Sequence, residues 1–195
     1  VTHTPEVLTG DVADLAMTFI LMAPRRIGEA ERFLRSGRWL EGRMDLGTTV
    51  RGKQLGILGL GRIGKAVARR AEVFGLNISY HDIKPMGDLP YHSYPSLLEL
   101  AGASDILLVA CEGGAVNRGL INGAVLTALG PDGFLINTAR GPIVDQPALV
   151  VALRDGTIAG AALDVFDGEP AVPEELPKMF QAVMSEDIGQ LRELF

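Results

Sequence analysis

Gln54-Leu55-Gly56-Ile57-Leu58-Gly59-Leu60-Gly61-Arg62-Ile63-Gly64 is the stretch that decides the fold. The apolar run Gln54–Leu58 predicts a short buried strand. It leads directly into Gly59-Leu60-Gly61-Arg62-Ile63-Gly64, a G-x-G-x-x-G turn. Ile63, Val67, Ala71 and Phe74 then recur at helical spacing, and Gly75 predicts the helix end. In such a unit Gly59 permits the tight turn, Gly61 lets backbone approach a pyrophosphate, and Gly64 lets the helix pack close to the sheet. The helix N-terminus offers free N–H groups and a positive dipole end to an anion. A second strand, Asn77–His81, is followed by Asp82, 18 residues beyond the third glycine. A carboxylate at that place accepts hydrogen bonds from adenosine ribose hydroxyls. Together these features predict a bound nicotinamide dinucleotide. Asp82 favours NAD over NADP because it repels a 2′-phosphate, and Lys84 works against that preference.

On either side of this unit the same alternation continues. Val12, Leu15, Ala16, Phe19, Ile20 and Ala23 predict a long amphipathic helix from about Asp11. Pro24 should kink or end it, Arg25 to Arg35 can continue it, and Gly37 should stop it. Trp39 to Arg51 reads as irregular. Downstream, Pro95 is placed in the first turn of a short helix with Leu97, Leu98 and Leu100. Asp105–Ala110 predicts a strand covered on both faces. Val125–Leu129 predicts a helix and Phe134–Asn137 a strand. Pro147 to Leu153 predicts a helix closed by Gly156, Ile158–Val165 a strand, and Val183–Ser185 is a candidate last strand. Repeated β-α-β units with short connections predict an α/β doubly wound parallel sheet of the Rossmann type in a single nucleotide-binding domain.

The bulk composition narrows the partners. The 195 residues are 47% hydrophobic and 22% charged, with a formal net charge of −6. A mildly acidic chain gains nothing from phosphate counterion release, so nucleic acid is not expected as a partner. The basic pairs Arg25-Arg26 and Arg69-Arg70 read as solvated helix faces. No apolar run approaches the roughly 20 residues that span a bilayer, so no membrane partner is expected. A single cysteine, Cys111, excludes an internal disulfide framework and points to the cytoplasm. His3, His81 and His92 share no metal-ligand spacing, and no metal is expected.

Ligands of such sheets bind beyond the carboxyl ends of the strands. That singles out the loops Gly59–Gly64, Asp82–Lys84, Cys111–Gly114, Thr138–Gly141 and Asp164–Glu169. In Thr138-Ala139-Arg140-Gly141 the arginine can clamp a carboxylate with two hydrogen bonds. Standing alone, it reads better as a surface arginine of a turn. Asp164 can accept from a carboxamide, or equally serve as a turn acid. Glu169, in Asp167-Gly168-Glu169-Pro170, reads as a turn residue on its own. Cys111 reads as a small buried hydrophobe rather than a nucleophile.

Taken together, several stretches resemble the D-isomer-specific 2-hydroxyacid dehydrogenases, nearest to glyoxylate and hydroxypyruvate reductases. They are Thr9–Ala16, Gly56–Gly64, Leu135–Gly141, Gly160–Phe166 and Glu169-Pro170. The resemblance implies an NAD(P)-dependent oxidoreductase that reduces small 2-keto acids to 2-hydroxy acids. It assigns Arg62 and Ile63 to the pyrophosphate, Asp82 to the ribose, and Cys111 to the cofactor loop. Thr138, Ala139 and Asp164 fall to the nicotinamide ribose and carboxamide. Arg140 falls to the substrate carboxylate and keto oxygen, and Glu169 to orienting a catalytic histidine. It also implies a homodimer built on the long first helix and the segment after it.

Two positions depart from the family pattern. Asp187, in Glu186-Asp187-Ile188-Gly189, stands where the catalytic histidine is expected; the alternative is that the tail after Pro177 is locally out of register and Asp187 fills no site. An aspartate, with a reference pKa of about 4, holds no proton to give at neutral pH. Glu112 stands where a proline usually follows Cys111, with a reshaped cofactor loop as the expected consequence. The chain begins at Val1, near the family's domain junction. Residues 1–189 are expected to form the dinucleotide-binding domain, with a helix and arm at 11–51 and a core at 52–189. Residues 190–195 are expected to start the return to a substrate domain that this sequence lacks. Little activity is expected from this chain alone. The alternative reading is a non-catalytic NAD(H)-binding or dimerisation module.

Overall fold

The computed structural model describes residues 8–84 and 87–169. Among them, β1 (Gln54–Leu58), β2 (Asn77–His81), β3 (His92–Ser93), β4 (Ile106–Val109), β5 (Phe134–Asn137) and β6 (Gly160–Leu163) form one sheet. Their order is β3-β2-β1-β4-β5-β6, and every neighbouring pair is parallel. This is the doubly wound, Rossmann-type sheet that the glycine turn and the alternating elements predict.

Side chains alternate across the sheet because a strand has a period of two. Ile106 and Leu108 of β4 join Ala16, Phe19 and Ile20 on one face, with Val67 and Ala71. These belong to α1 (Thr9–Met22) and α3 (Arg62–Val73). Leu107 and Val109 join Leu100, Leu126 and Leu149 on the other. These belong to α4 (Leu97–Gly102), α5 (Gly123–Leu129) and α6 (Gln146–Arg154). Crossover helices thus cover both faces, which is why the strands read as continuous apolar runs.

Sequence signals set the helix starts. Ser96 caps α4 by accepting from the Glu99 N–H, Asn122 caps α5, and Asp145 caps α6. Pro95 therefore lies just before the α4 cap rather than inside the helix. At the N-terminal end, α1 stops before Pro24, and α2 (Ile27–Arg35) starts afresh. Arg26 between them adopts a left-handed backbone, φ 54°. Its guanidinium grips Glu29 at 2.6 and 2.7 Å. Arg26 is thus a turn residue and not part of a solvated helix face, whereas Arg70 on α3 pairs with Asp14 on α1 at 2.6 Å.

Two strands differ from expectation. β3 pairs through only two residues, Ser79 with His92 and Tyr80 with Ser93, too short for any periodicity to announce it. β6 covers Gly160–Leu163 rather than Ile158–Val165, because its partner β5 is itself only four residues long. The stretch from Trp39 to Arg51 is irregular as expected, apart from a 3-10 turn at Arg38–Leu40. Among the described residues no helix is long and apolar enough to cross a membrane. Val183–Ser185, Asp187 and residues 190–195 lie outside the described residues.

The sheet order creates the site. From β1 the chain passes to β2 and β3 on one side and then returns to β4 on the other. Leu58 therefore has His81 as its neighbour on one flank and Val109 on the other. The loops leaving β1 and β4 diverge, and a crevice opens where the winding reverses.

Candidate functional site

The turn between β1 and α3 is built around backbone, not side chains. Gly59 has φ 91°, a left-handed conformation that only glycine adopts without strain. Its N–H donates to the His81 carbonyl at 2.9 Å. A Cβ on Gly59 would lie 2.6 Å from the Cys111 Cα, so the first glycine also lets the β4 loop pack directly on the turn. A Cβ on Gly64 would strike the Gly59 carbonyl oxygen, so the third glycine brings α3 against the turn. At Gly61 a Cβ would meet nothing within 4 Å. The second glycine thus faces open space, as it must if a ligand approaches there.

Gly61 is the N-cap of α3, and no side chain caps that helix. α4, α5 and α6 each have a capping oxygen. The α3 terminus keeps its unfilled N–H groups and dipole for whatever enters the crevice.

Asp82 is braced against this turn. One carboxylate oxygen accepts the Leu60 N–H at 2.8 Å and the other the Lys84 N–H at 2.9 Å. The acid holds the ends of β1 and β2 together.

Beyond β5 the chain turns through Thr138, Ala139 and Arg140. Asn137, fully buried, staples this loop: its side-chain oxygen accepts the Ala139 N–H and its amide donates to the Arg140 carbonyl. Thr138 is 7% exposed, and its buried hydroxyl has no hydrogen-bond partner. An orphaned hydroxyl costs free energy unless a ligand completes it. The Arg140 stem lies across Gly113, where a Cβ would come within 2.6 Å of Arg140 Cγ.

The loop after β6 leans on these elements. Asp164 donates its N–H to the Asn137 carbonyl at 3.0 Å. Partial burial first, and the charge of Glu169 second, raise its carboxyl above the ordinary range. Glu169 folds back to accept the Phe166 N–H at 2.6 Å. Gln146 holds Asp167 by its backbone from both sides, and Arg118 pairs with the Asp167 carboxylate at 2.8 Å.

A cleft of about 890 Å³ joins Arg62 and Ile63 at the α3 start to Cys111, Thr138, Ala139 and Arg140. Pockets for small ligands run to about 1,000 Å³, so a dinucleotide-sized molecule suits it. Gly59, Gly61, Gly64, Asp82, Asp164 and Glu169 are not among its lining residues. The glycines shape the turn, Asp82 joins it through Leu60, and Asp164 joins it through Asn137. Glu169 belongs to the adjoining loop, and Asp187 lies outside the described residues. Gly113, Arg118 and Gln146 organise the cleft through contacts distant in sequence, and Asn137 does so within its own strand-end loop. The one local hint was a polar Asn at the end of an apolar strand.

Cys111 is half-buried in the cleft wall. Burial, opposed by its own backbone N–H and aided by the charges of Asp82 and Glu112, pushes its thiol up to about 11. The thiol is therefore mostly protonated below that pH, and its nucleophilic thiolate fraction grows as the pH approaches it. Alkylation by iodoacetamide at pH 8 should run about a hundredfold slower than for a free thiol of pKa about 8.5. The rate should climb until about pH 11, as mass spectrometry would follow. Alkylation as fast as a free thiol's at pH 8 would contradict this environment.

Residues 17–188 match the family described as D-isomer specific 2-hydroxyacid dehydrogenase, NAD binding domain. A glyoxylate/hydroxypyruvate reductase of Arabidopsis thaliana is 49% identical over 191 residues, 97% of this chain and 60% of that protein. A hydroxyphenylpyruvate reductase of Plectranthus scutellarioides is 50% identical over 189 residues, 97% of this chain and 60% of that protein. Among solved structures, an NADPH-dependent glyoxylate/hydroxypyruvate reductase of Sinorhizobium meliloti, in complex with NADP and malonate, superposes with a TM-score of 0.86 at 50% identity. That match covers 91% of this chain and 56% of the other. The chain thus spans about 60% of the length of these curated relatives. It belongs to the D-isomer specific 2-hydroxyacid dehydrogenases, as their NAD(P)-binding domain.

Proposed function

We propose that this chain is the cofactor half of an enzyme that reduces a small 2-keto acid of the glyoxylate or hydroxypyruvate type. The observation that carries the reading is the single cleft that joins the uncapped start of α3 to Arg140. The backbone N–H groups at Arg62 and Ile63 bind a pyrophosphate there, with the Arg62 guanidinium adding charge. Asp82 accepts from the adenosine ribose. The unpartnered Thr138 hydroxyl and the Ala139 backbone take the nicotinamide ribose, and Asp164 the carboxamide. The nicotinamide, when bound, supplies or accepts the hydride. Arg140 holds the substrate carboxylate by its two-pronged guanidinium and polarises the keto oxygen. Glu169 orients the proton donor. At the donor's place in the sequence stands Asp187.

Calorimetric titration of the chain with NADH tests this reading. Saturable one-site binding is expected. With Asp187 in the donor position, glyoxylate or hydroxypyruvate should turn over far below the usual range of about 1–10³ s⁻¹. Absence of binding by both NADH and NADPH would sink the reading. Ordinary turnover would show that Asp187 does not stand in the donor's place.

A second reading, a dimerisation module, draws on the N-terminal arm. Leu34, Trp39, Leu40 and Leu46 are 61–94% exposed, more apolar surface in one segment than a monomer's arm keeps without reason. Both readings share a homodimer formed through α1, α2 and this arm, which sedimentation equilibrium tests. The cytoplasm suits either, given the free thiol.

A further inference from the structure

Arg62, Arg118 and Arg140 all line the cleft. Among the described residues, Arg118 alone of the three is paired with a carboxylate. Its Nη1 donates to Asp167 Oδ2 at 2.8 Å and its Nη2 to Oδ1 at 3.4 Å. The strand order puts β5 between β4 and β6. The pair therefore reaches from the segment after β4 to the loop after β6, past the end of β5. The neighbours of Arg118 fasten the same segment in other directions. The Asn117 amide donates to the Glu112 carbonyl at 2.7 Å and closes the loop after β4. The Gly119 N–H donates to the Pro142 carbonyl at 2.9 Å, and the Ile121 N–H to the Ile143 carbonyl at 3.0 Å, which ties the segment to the loop after β5. Glu112, Pro142 and Ile143 line the cleft too. Residues 117–121 thus join three strand-end loops, and Arg118 supplies the link to the third.

We propose that Arg118 is a positioning residue. Its bond to Asp167 fixes the Asp164–Glu169 loop against the loop bearing Thr138, Ala139 and Arg140, and so preforms the nicotinamide end of the cleft. This rests on the reading of the cleft as a dinucleotide site. A guanidinium whose charge is already met by Asp167 has less to offer a phosphate or carboxylate than Arg62 or Arg140. Its role lies in what it holds. Without the pair, Asp167 keeps its two backbone bonds to Gln146, so the fold persists. What is lost is the fixed spacing of the two loops. The Arg118 and Asp167 side chains are 63% and 34% exposed, so solvent screens the pair, and its loss loosens the loop rather than unfolding it. A loosened loop must be ordered when the nucleotide binds, and that ordering lowers affinity. The pyrophosphate end stands on other contacts, at the start of α3 and between Leu60 and Asp82.

The test is calorimetric titration of the intact chain, Arg118→Gln, Asp167→Asn and the double variant with NADH and with ADP, which lacks the nicotinamide half. Each single variant should weaken NADH about fivefold, the upper end for a partly exposed pair. The double variant should lose no more than either single one, because both changes remove the same bond. ADP should bind all four proteins within about twofold of one another. The emission of bound NADH, which reports how firmly the nicotinamide is held, should drop in both single variants. Thermal unfolding should shift by less than about 4 °C, which shows that the variants fold. If Arg118→Gln weakens NADH and Asp167→Asn does not, Arg118 touches the nucleotide itself and the proposal is overturned. Equal losses for NADH and ADP, or no loss for NADH in either variant, overturn it as well. Each of these results leaves the dinucleotide reading standing. Should the intact chain bind neither NADH nor NADPH, that reading falls and this proposal with it.

Discussion

Gly61→Ala should cost this chain at least about 100-fold in NADH affinity, roughly 2.7 kcal/mol, while leaving its fold intact. The position separates the two duties of the glycine turn. Gly61 has φ −70°, which alanine adopts freely, and its new Cβ would meet no protein atom within 4 Å. The stability change is therefore that of an N-cap replacement, about 1 kcal/mol or less. All of the larger effect falls on the ligand, because the methyl occupies the place where backbone approaches the pyrophosphate. Gly59→Ala is the contrasting variant. It is strained at φ 91° and collides with the Cys111 backbone, so stability and binding should fall together. Thermal unfolding and NADH titration of the two variants separate the effects. Gly61→Ala that binds NADH within about threefold of the parent would place the pyrophosphate elsewhere.

The contrast also explains what the sequence could announce. The turn was legible because each requirement is local: a strand, three glycines at set spacing, then a helical period. The strand ends carrying Asp82, Thr138 and Asp164 were legible because apolar runs stop there. Nothing local could show that Asp82 is bonded at Leu60, or that the Arg140 stem lies across Gly113. Those facts depend on β2 and β4 lying beside β1, which is topology. β3 escaped because two residues carry no period. Arg26 escaped because a left-handed arginine is uncommon and is held here by Glu29, three residues ahead. The catalytic assignments stand on a different footing from the fold. The loop that carries Arg140 meets the segment before Glu169 where Gly141 packs on Phe166, and Asp187 lies outside the described residues.

That loop supplies the second large effect. Gly141→Ala should lower stability by about 3 kcal/mol, near the upper end for overpacking, or roughly 10 °C in Tm for a chain of this size. A Cβ at Gly141 would fall on the Phe166 carbonyl and within 2.5 Å of the Asp167 nitrogen. These are backbone atoms, so no side-chain tip can swing away to relieve the collision. The segments bearing Arg140 and Glu169 must then separate. Asp167 is the point that resists, since Gln146 grips its backbone twice and Arg118 its carboxylate. The Asp167 N–H, now given to Gln146 Oε1 at 2.9 Å, should lose hydrogen-exchange protection far more than the N–H groups of β1. NADH affinity should fall less than in Gly61→Ala, because the α3 start lies away from the collision. If exchange at Asp167 stays unchanged while Tm falls, the strain is being relieved elsewhere, and the two loops are not the coupled unit their contacts describe.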